Sequence, residues 1–450
     1  MIDLSAQQVL DLIGGTQSTQ FDHDLLINQV SMDSRKVGHN CLFIALRGEK
    51  NDSHKFVADL VRDGTNIALV NEDFSEDLPN LIRVKDTTNA LGILAQNYRQ
   101  LFSIPVVAIT GSNGKTSVKE MLRSVCEQHF GVDHVLATSG NLNNHWGMPL
   151  TLLELNKKHQ VAIIEMGMNH SGELKYLTGL AKPTIAVVNN VMFAHAGYFN
   201  SLDDIADAKA EIYLGLDKSG IACIDMSSNY AKKYLANSHA AKIFSYGSDD
   251  SLCYLVNISS IGAIYHTPLG ELEIKLAVLG KHNYYNALTV IVLAINLGCS
   301  LAEIKLGLES YQGYKGRLEQ KIAFNGALII DDTYNANPDS VKAALEAIQA
   351  LPRPHWFVFA DLKELGQQEI KFHQEIGAFA NQCKLDKLIT VGSLAKYSTD
   401  IFTGEKMHFE NNEDVVKYCT SHLPSEATIL IKGSNSMRLS EVAERLTRKK

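Results

Sequence analysis

At 450 residues the chain exceeds what one hydrophobic core serves, and at the usual ~100–200 residues per domain it should divide into about three. A composition of 45% apolar and 20% charged residues is that of a soluble globular protein and excludes long disordered or low-complexity tracts. The net charge of −8, from 42 basic and 50 acidic residues, excludes a general nucleic-acid binder unless positive charge is clustered.

Met1-Ile2-Asp3-Leu4-Ser5 lacks a charged-then-apolar secretory pattern, and no apolar run approaches the ~18 residues of a membrane span. The cysteines at 41, 126, 223, 253, 299, 383 and 419 form no C-x-x-C pair, which suits reduced thiols. The expectation is a cytoplasmic protein with no membrane insertion and no nucleic-acid partner, working as a monomer.

Residues 1–84 combine a short helix, Ala6 to Ile13, with strand-like runs at Cys41 to Leu46 and Ile67 to Val70, predicting a small α/β domain. Residues 85–312 alternate strands and helices: Val161 to Ile164, Thr184 to Val188, a helix from Leu202 to Leu216, then Ile221 to Ile224. That alternation predicts a parallel sheet covered on both faces. The helical pattern stops at Gln312-Gly313-Tyr314-Lys315-Gly316-Arg317. A second doubly wound series then fills 313–450, with strands near Ala327 to Ile330, Trp356 to Phe359, Lys387 to Val391 and Thr428 to Ile431. The fold class is α/β throughout.

The strongest chemical signal is Thr110-Gly111-Ser112-Asn113-Gly114-Lys115-Thr116, which follows the apolar run Ile104 to Ile109 and opens a helix. Gly111 and Gly114 let backbone N–H groups turn inward, Lys115 supplies charge for outer phosphates, and the Thr116 hydroxyl can ligate Mg²⁺. Ile109 stands where the standard loop has its first glycine, so this is a compressed form. A nucleoside triphosphate is the expected ligand.

Other candidates sit at strand ends or helix starts. Glu165 ends one apolar strand, placed either to hold Mg²⁺ or merely to cap the next helix. His195 follows another. Lys209 lies in a helical run of small and apolar residues; it reads either as a solvated lysine or as a buried amine that takes up CO₂ as a carbamate. His282, Asn283 and Asn286 open a helix, as its cap or as an adenine edge. Asp332 precedes a helix at a crevice position suited to a ribose or a substrate, and Arg317 in the linker can close on phosphates.

These residues resemble the Mur ligase family, the ATP-dependent amino-acid and peptide ligases of bacterial cell-wall synthesis, over essentially the whole chain. The resemblance is carried by Asp33-Ser34-Arg35 with Leu42 to Gly48, the loop Thr110 to Thr116, Asn141-Leu142-Asn143-Asn144-His145, Glu165-Met166-Gly167, and Asp332 through Ser340. The asparagine run and Tyr334-Asn335-Ala336-Asn337-Pro338-Asp339-Ser340 are similar to the branch that joins D-alanyl-D-alanine to UDP-N-acetylmuramoyl-tripeptide, and unlike the sister branch that adds the third residue.

The resemblance implies a UDP-sugar-binding N-terminal domain, a central ATP-binding domain and a C-terminal domain for the dipeptide. It further implies an acyl-phosphate route using ATP and Mg²⁺. By the same matching, Lys209 is a carbamylated lysine, and Thr116, Glu165, His195 and Lys209 surround Mg²⁺. Lys115, Lys209, Glu165 and His195 carry catalysis. His282, Asn283 and Asn286 face adenine, Asp332 the ribose, and Arg317 phosphate. Ser34 and Arg35 lie near the uridine diphosphate, with Asn141, Asn143, Asn144 and Asn335 along the sugar and peptide.

Two departures stand out: Asn435, where the family usually carries arginine, and Asn51-Asp52-Ser53-His54 in place of an Asp-Gly-His type run. A nucleotide-dependent switch would want a guanine-reading Asn-Lys-x-Asp, where the chain has Asn189-Asn190-Val191-Met192. Folylpolyglutamate synthetases, the nearer rival, lack the Asp-Ser-Arg domain.

Overall fold

Each of the three predicted series becomes a sheet of its own in the computed structural model, which describes residues 2–48, 51–193, 197–199, 201–240 and 242–447. In the first, β1 (Thr16–Gln17), β2 (Gln29–Ser31), β3 (Cys41–Ile44), β4 (Ile67–Asn71) and β5 (Leu81–Val84) lie in the order β1-β5-β4-β3-β2, with only β1 antiparallel. Helix α1 (Ala6–Ile13) starts at a capping box made by Ser5 and Gln8, and buries Ala6, Val9 and Ile13.

Helix α2 (Thr87–Arg99), capped by Asp86, joins this layer to the next. Its Asn97 donates to Leu12 O on one side, while Gln96 and Arg99 donate to Gly179 O and Ala181 O on the other. One hydrophobic cluster accordingly runs from Val9 and Ile44 through Leu94 to Val106 and Ile164.

The central sheet is wholly parallel: β6 (Val106–Thr110), β7 (Val135–Ala137), β8 (Val161–Glu165), β9 (Ile185–Val188), β10 (Ile221–Asp225) and β11 (Lys242–Tyr246), ordered β11-β10-β9-β6-β8-β7. Its middle strands are buried along their length, as a sheet covered on both faces requires. Helix α3 (Lys115–Phe130) runs on from β6 and packs on one face; α4 (Gly147–Leu152) and α5 (Glu173–Ala181) cover the other.

The helix expected over Leu202 to Leu216 is shorter: α6 (Leu202–Ala210) tightens into a 3₁₀ turn over Glu211–Gly215. A Cβ on Gly215 would lie 2.0 Å from Thr178 Oγ1, so the chain passes tight against α5, and the Glu211 carboxylate accepts the backbone N–H groups of Gly172 and Lys175 at its start. The three-stranded antiparallel sheet β12 (Tyr254–Ile258), β13 (Ala263–Thr267) and β14 (Gly270–Ile274) is an addition not anticipated from the sequence. Helix α7 (His282–Asn296) follows, and α8 (Leu301–Ser310) packs on α3.

In the last sheet β15 (Glu319–Ile322), β16 (Leu328–Asp331), β17 (His355–Ala360), β18 (Lys387–Val391), β19 (Glu405–Phe409) and β20 (Thr428–Lys432) take the order β15-β16-β20-β17-β18-β19, with only β15 antiparallel. Helix α9 (Pro338–Ala347) begins with proline at its first position and Asn337 as cap. No helix among the described residues is long and apolar enough to cross a membrane.

Candidate active site

Register aligns Glu165 of β8 with Ile109, and Val188 of β9 with Thr110, so three carboxyl ends meet where the phosphate loop leaves the sheet. Gly114 has φ +78°, and a Cβ there would lie 2.5 Å from Asn286 Oδ1 and 2.7 Å from Asn189 Nδ2. Glycine is therefore required twice over, for conformation and for space. No side chain caps the start of α3, leaving its first N–H groups for an acceptor from outside.

The loop is held from three directions. Ser112 Oγ accepts from Met192 N (2.9 Å), Asn113 N donates to Asn190 Oδ1 (2.8 Å), and Asn189 Nδ2 donates to Asn113 O (3.0 Å) and Asn286 Oδ1 (3.0 Å). Asn286 in turn donates to Asn283 Oδ1 (3.1 Å). Neither Asn283 nor Asn286 caps α7; with the half-buried His282 they line a cavity of about 580 Å³ that Arg317 and Asp332 also border. The cap alternative for these residues is thus corrected.

Lys115 Nζ folds back to donate to Gly111 O (2.7 Å) and Ser112 O (3.4 Å). Desolvation in the cleft pushes its pKa down, Glu165 opposing and Arg317 assisting. Thr116 Oγ1 donates to Glu165 Oε2 (3.1 Å) and Asn143 Nδ2 to Glu165 Oε1 (2.8 Å), so this carboxylate faces the loop and caps no helix. Buried Lys119 stands 4.0 Å from Glu165 and donates to Thr138 O (2.6 Å), while Thr138 Oγ1 accepts Glu165 N (3.0 Å). Thr110 donates to Met166 O (2.8 Å).

Lys209 is 2% exposed, which overturns the solvated alternative, and its ammonium makes no hydrogen bond or ion pair among the described residues. Burial, with the positive charge of Lys115 second, holds its pKa well below the ordinary lysine value. His195 lies outside the described residues.

From the C-terminal sheet, Asp332 accepts from Lys432 Nζ (2.5 Å) and Leu318 N (3.2 Å), both partners buried. Asn335 lines a cavity of about 870 Å³ with Lys115, Asn141, Asn143, Asn144 and Glu165. Asn113 and Asn337 exchange amide hydrogen bonds of 3.3 and 2.7 Å between the phosphate loop and the start of α9, a contact the sequence gave no sign of. Arg317 lies 4.3 Å over the Tyr334 ring and borders all three cavities around the loop. Its Nε is buried with no partner among the described residues, an orphaned donor in a cleft lined by cations.

Ser34 and Arg35 are not brought to this cleft. Asp33 accepts from Arg35 N (3.1 Å) and pairs with its guanidinium, which is 87% exposed, and neither residue borders the three cavities.

Residues 109–294 match the Mur ligase middle domain and residues 316–435 the Mur ligase glutamate ligase domain. The chain is 38% identical to a UDP-N-acetylmuramoyl-tripeptide–D-alanyl-D-alanine ligase of Haemophilus influenzae, covering 98% of each, and 34% identical to that of Escherichia coli, covering 99% of each. It belongs to the Mur ligase family. Among solved structures, this Mur ligase superposes on MurF from Acinetobacter baumannii with TM-score 0.90 at 32% identity, covering 99% of this chain and 98% of that one. On MurF from Thermotoga maritima in complex with ADP the TM-score is 0.83 at 25% identity, covering 94% and 98%.

Proposed function

We propose that this Mur ligase joins D-alanyl-D-alanine to UDP-N-acetylmuramoyl-tripeptide, converting ATP to ADP and phosphate and yielding the pentapeptide precursor of peptidoglycan. The observation that carries the reading is 34–38% identity over nearly the full length to ligases of that name, combined with a cleft in which Lys115, Arg317 and an uncapped helix start converge on one anion site.

A carboxylate does not condense with an amine in water, so it must first carry a leaving group. The tripeptide carboxylate attacks the γ-phosphorus, displacing ADP and forming an acyl phosphate. The dipeptide amine then attacks the carbonyl carbon, giving a tetrahedral intermediate that expels phosphate, and the amine loses a proton. Lys115, Arg317 and the loop N–H groups hold the oxygens on which charge develops, a contribution of position and electrostatics.

The donor set fits Mg²⁺: a hydroxyl and a carboxylate, Thr116 and Glu165, beside a phosphate loop, the kind of site where the ion keeps waters and substrate oxygens. His195 and a carbamate on Lys209 would complete its surroundings. When bound, the ion supplies positive charge against phosphate oxygens. Asn143 and Thr116 hold the Glu165 carboxylate in place by hydrogen bonds. His282, Asn283 and Asn286 would face the base, and Asp332, tied to Lys432, the ribose. The N-terminal unit, residues 1–84, would take the UDP-sugar, with 85–312 for ATP and 313–450 for the dipeptide. Asn141, Asn143, Asn144 and Asn335 would lie along the peptide.

With UDP-N-acetylmuramoyl-tripeptide and ATP present, D-alanyl-D-alanine is expected to drive ADP release in a coupled assay while L-glutamate does not. Release with glutamate alone would move the enzyme to another branch of the family.

A further inference from the structure

We propose that Lys363 binds the carboxylate of the incoming dipeptide and thereby selects a peptide acid over other amines. The proposal rests on the ligase reading above and adds a specificity residue to it.

A cavity of about 380 Å³ lies between the phosphate loop and the carboxyl-end loops of β16, β17 and β20. Three cations line it among the described residues: Lys115, Arg317 and Lys363. The first two belong to the phosphate side, since Lys115 is folded onto the loop carbonyls and Arg317 adds to the same field. Lys363 comes from the loop after β17. The remaining charged lining residue, Glu364, is an acid and cannot take an anion.

Lys363 is held ready. Its N–H donates to Ser434 Oγ (2.9 Å), Ser434 N returns a bond to Asp361 O (3.2 Å), and the neighbouring Leu362 N donates to the buried His373 Nε2 (3.0 Å). The backbone is thus fixed at Lys363 and over the two residues before it. Its ammonium lies 3.1 Å from Asp361 Oδ2. Asp361 does not depend on that contact, because it already accepts Ala395 N (2.8 Å), Leu394 N (2.9 Å) and Ser393 Oγ (3.4 Å). An ammonium has three donors, so one aims the group and the others meet no acceptor among the described residues. The side chain is 43% exposed, so a ligand can reach it.

The dipeptide presents an amine at one end and a carboxylate at the other, about 7 Å apart when extended. Its amine must reach the activated carbonyl beside Lys115, so its carboxylate is carried into the cavity, where entering unpaired would be costly. Lys363 is the cation placed to meet it.

The test compares D-alanyl-D-alanine with D-alanyl-D-alaninamide in the ADP-release assay, using wild type, Lys363→Met and Lys363→Arg. The wild type is expected to favour the acid over the amide. Lys363→Met should raise KM for the acid about 10- to 100-fold, leave KM for ATP and the nucleotide-tripeptide unchanged, and abolish the preference; Lys363→Arg should restore most of it. Lys363→Met with the wild-type preference intact overturns this inference alone. A wild type that releases no ADP with D-alanyl-D-alanine overturns the ligase reading instead.

Discussion

Lys115→Ala is expected to lower ligation by about 10³-fold or more while leaving the fold and its thermal transition unchanged. The residue stands at the start of α3, where no side chain caps the helix, and its ammonium is spent on the carbonyls of Gly111 and Ser112. Those two bonds lie within one loop and hold no distant element, so the fold survives their loss. The partly desolvated charge is worth most to a triphosphate, whose own charge would raise the depressed pKa of the amine and keep it protonated. Stopped-flow or coupled measurement of ADP release with both substrates present decides the matter. Release at near the wild-type rate would remove Lys115 from the reaction.

Lys209→Ala is expected to cost about 10²- to 10³-fold, partly recovered by millimolar acetate or propionate. Lys209 is buried beside Lys115, and two ammonium groups in that setting repel each other with little water to screen them. The depressed pKa keeps more of the amine neutral at neutral pH than in an ordinary lysine, and only the neutral form attacks CO₂. In that reaction the nitrogen lone pair would bond to carbon, one proton would leave, and the site would gain a negative charge able to pair with Lys115. The sign follows: as pH falls through the amine's pKa the carbamate is lost, so enzyme assayed in CO₂-depleted buffer should fade on the acid side and recover with bicarbonate. An alanine variant working at the wild-type rate, or wild type indifferent to CO₂, overturns the assignment.

What could be read from the chain was what local spacing carries. Gly111, Gly114, Lys115 and Thr116 lie in one turn, and the chemistry of a phosphate loop is written there in full. The strand ends at Glu165 and Asp331 were legible because long apolar runs stop abruptly. Lys209 was not, since its helix gives no sign of being covered on all sides; burial is a tertiary fact. Asn189 contacts Asn286 across 97 residues of sequence, and Lys363 meets Ser434 across 71, so neither partnership leaves a local trace. The antiparallel strands β12 to β14 were missed because hydrophobicity does not follow burial there: in Ala263 to Thr267 burial alternates strictly, yet exposed Ile264 stands between buried Ala263 and Tyr265. Arg35 was legible as part of its motif, while its ion pair with Asp33 two residues away is a detail that the motif does not spell out.

The amide pair between Asn113 and Asn337 has a consequence for the two sides of the cleft. Asn337 Oδ1 accepts from Asn113 and also caps α9 through Ser340 N (2.9 Å), so one oxygen answers both to the nucleotide-facing loop and to the helix of the sheet across the cleft. A ligand at the loop that needs this contact formed would therefore favour the same hold on the far side. By reciprocity, a substrate that draws the far side in raises the affinity for phosphate by the same factor. Coupling of this kind favours the cleft with both sides filled, whichever ligand enters first.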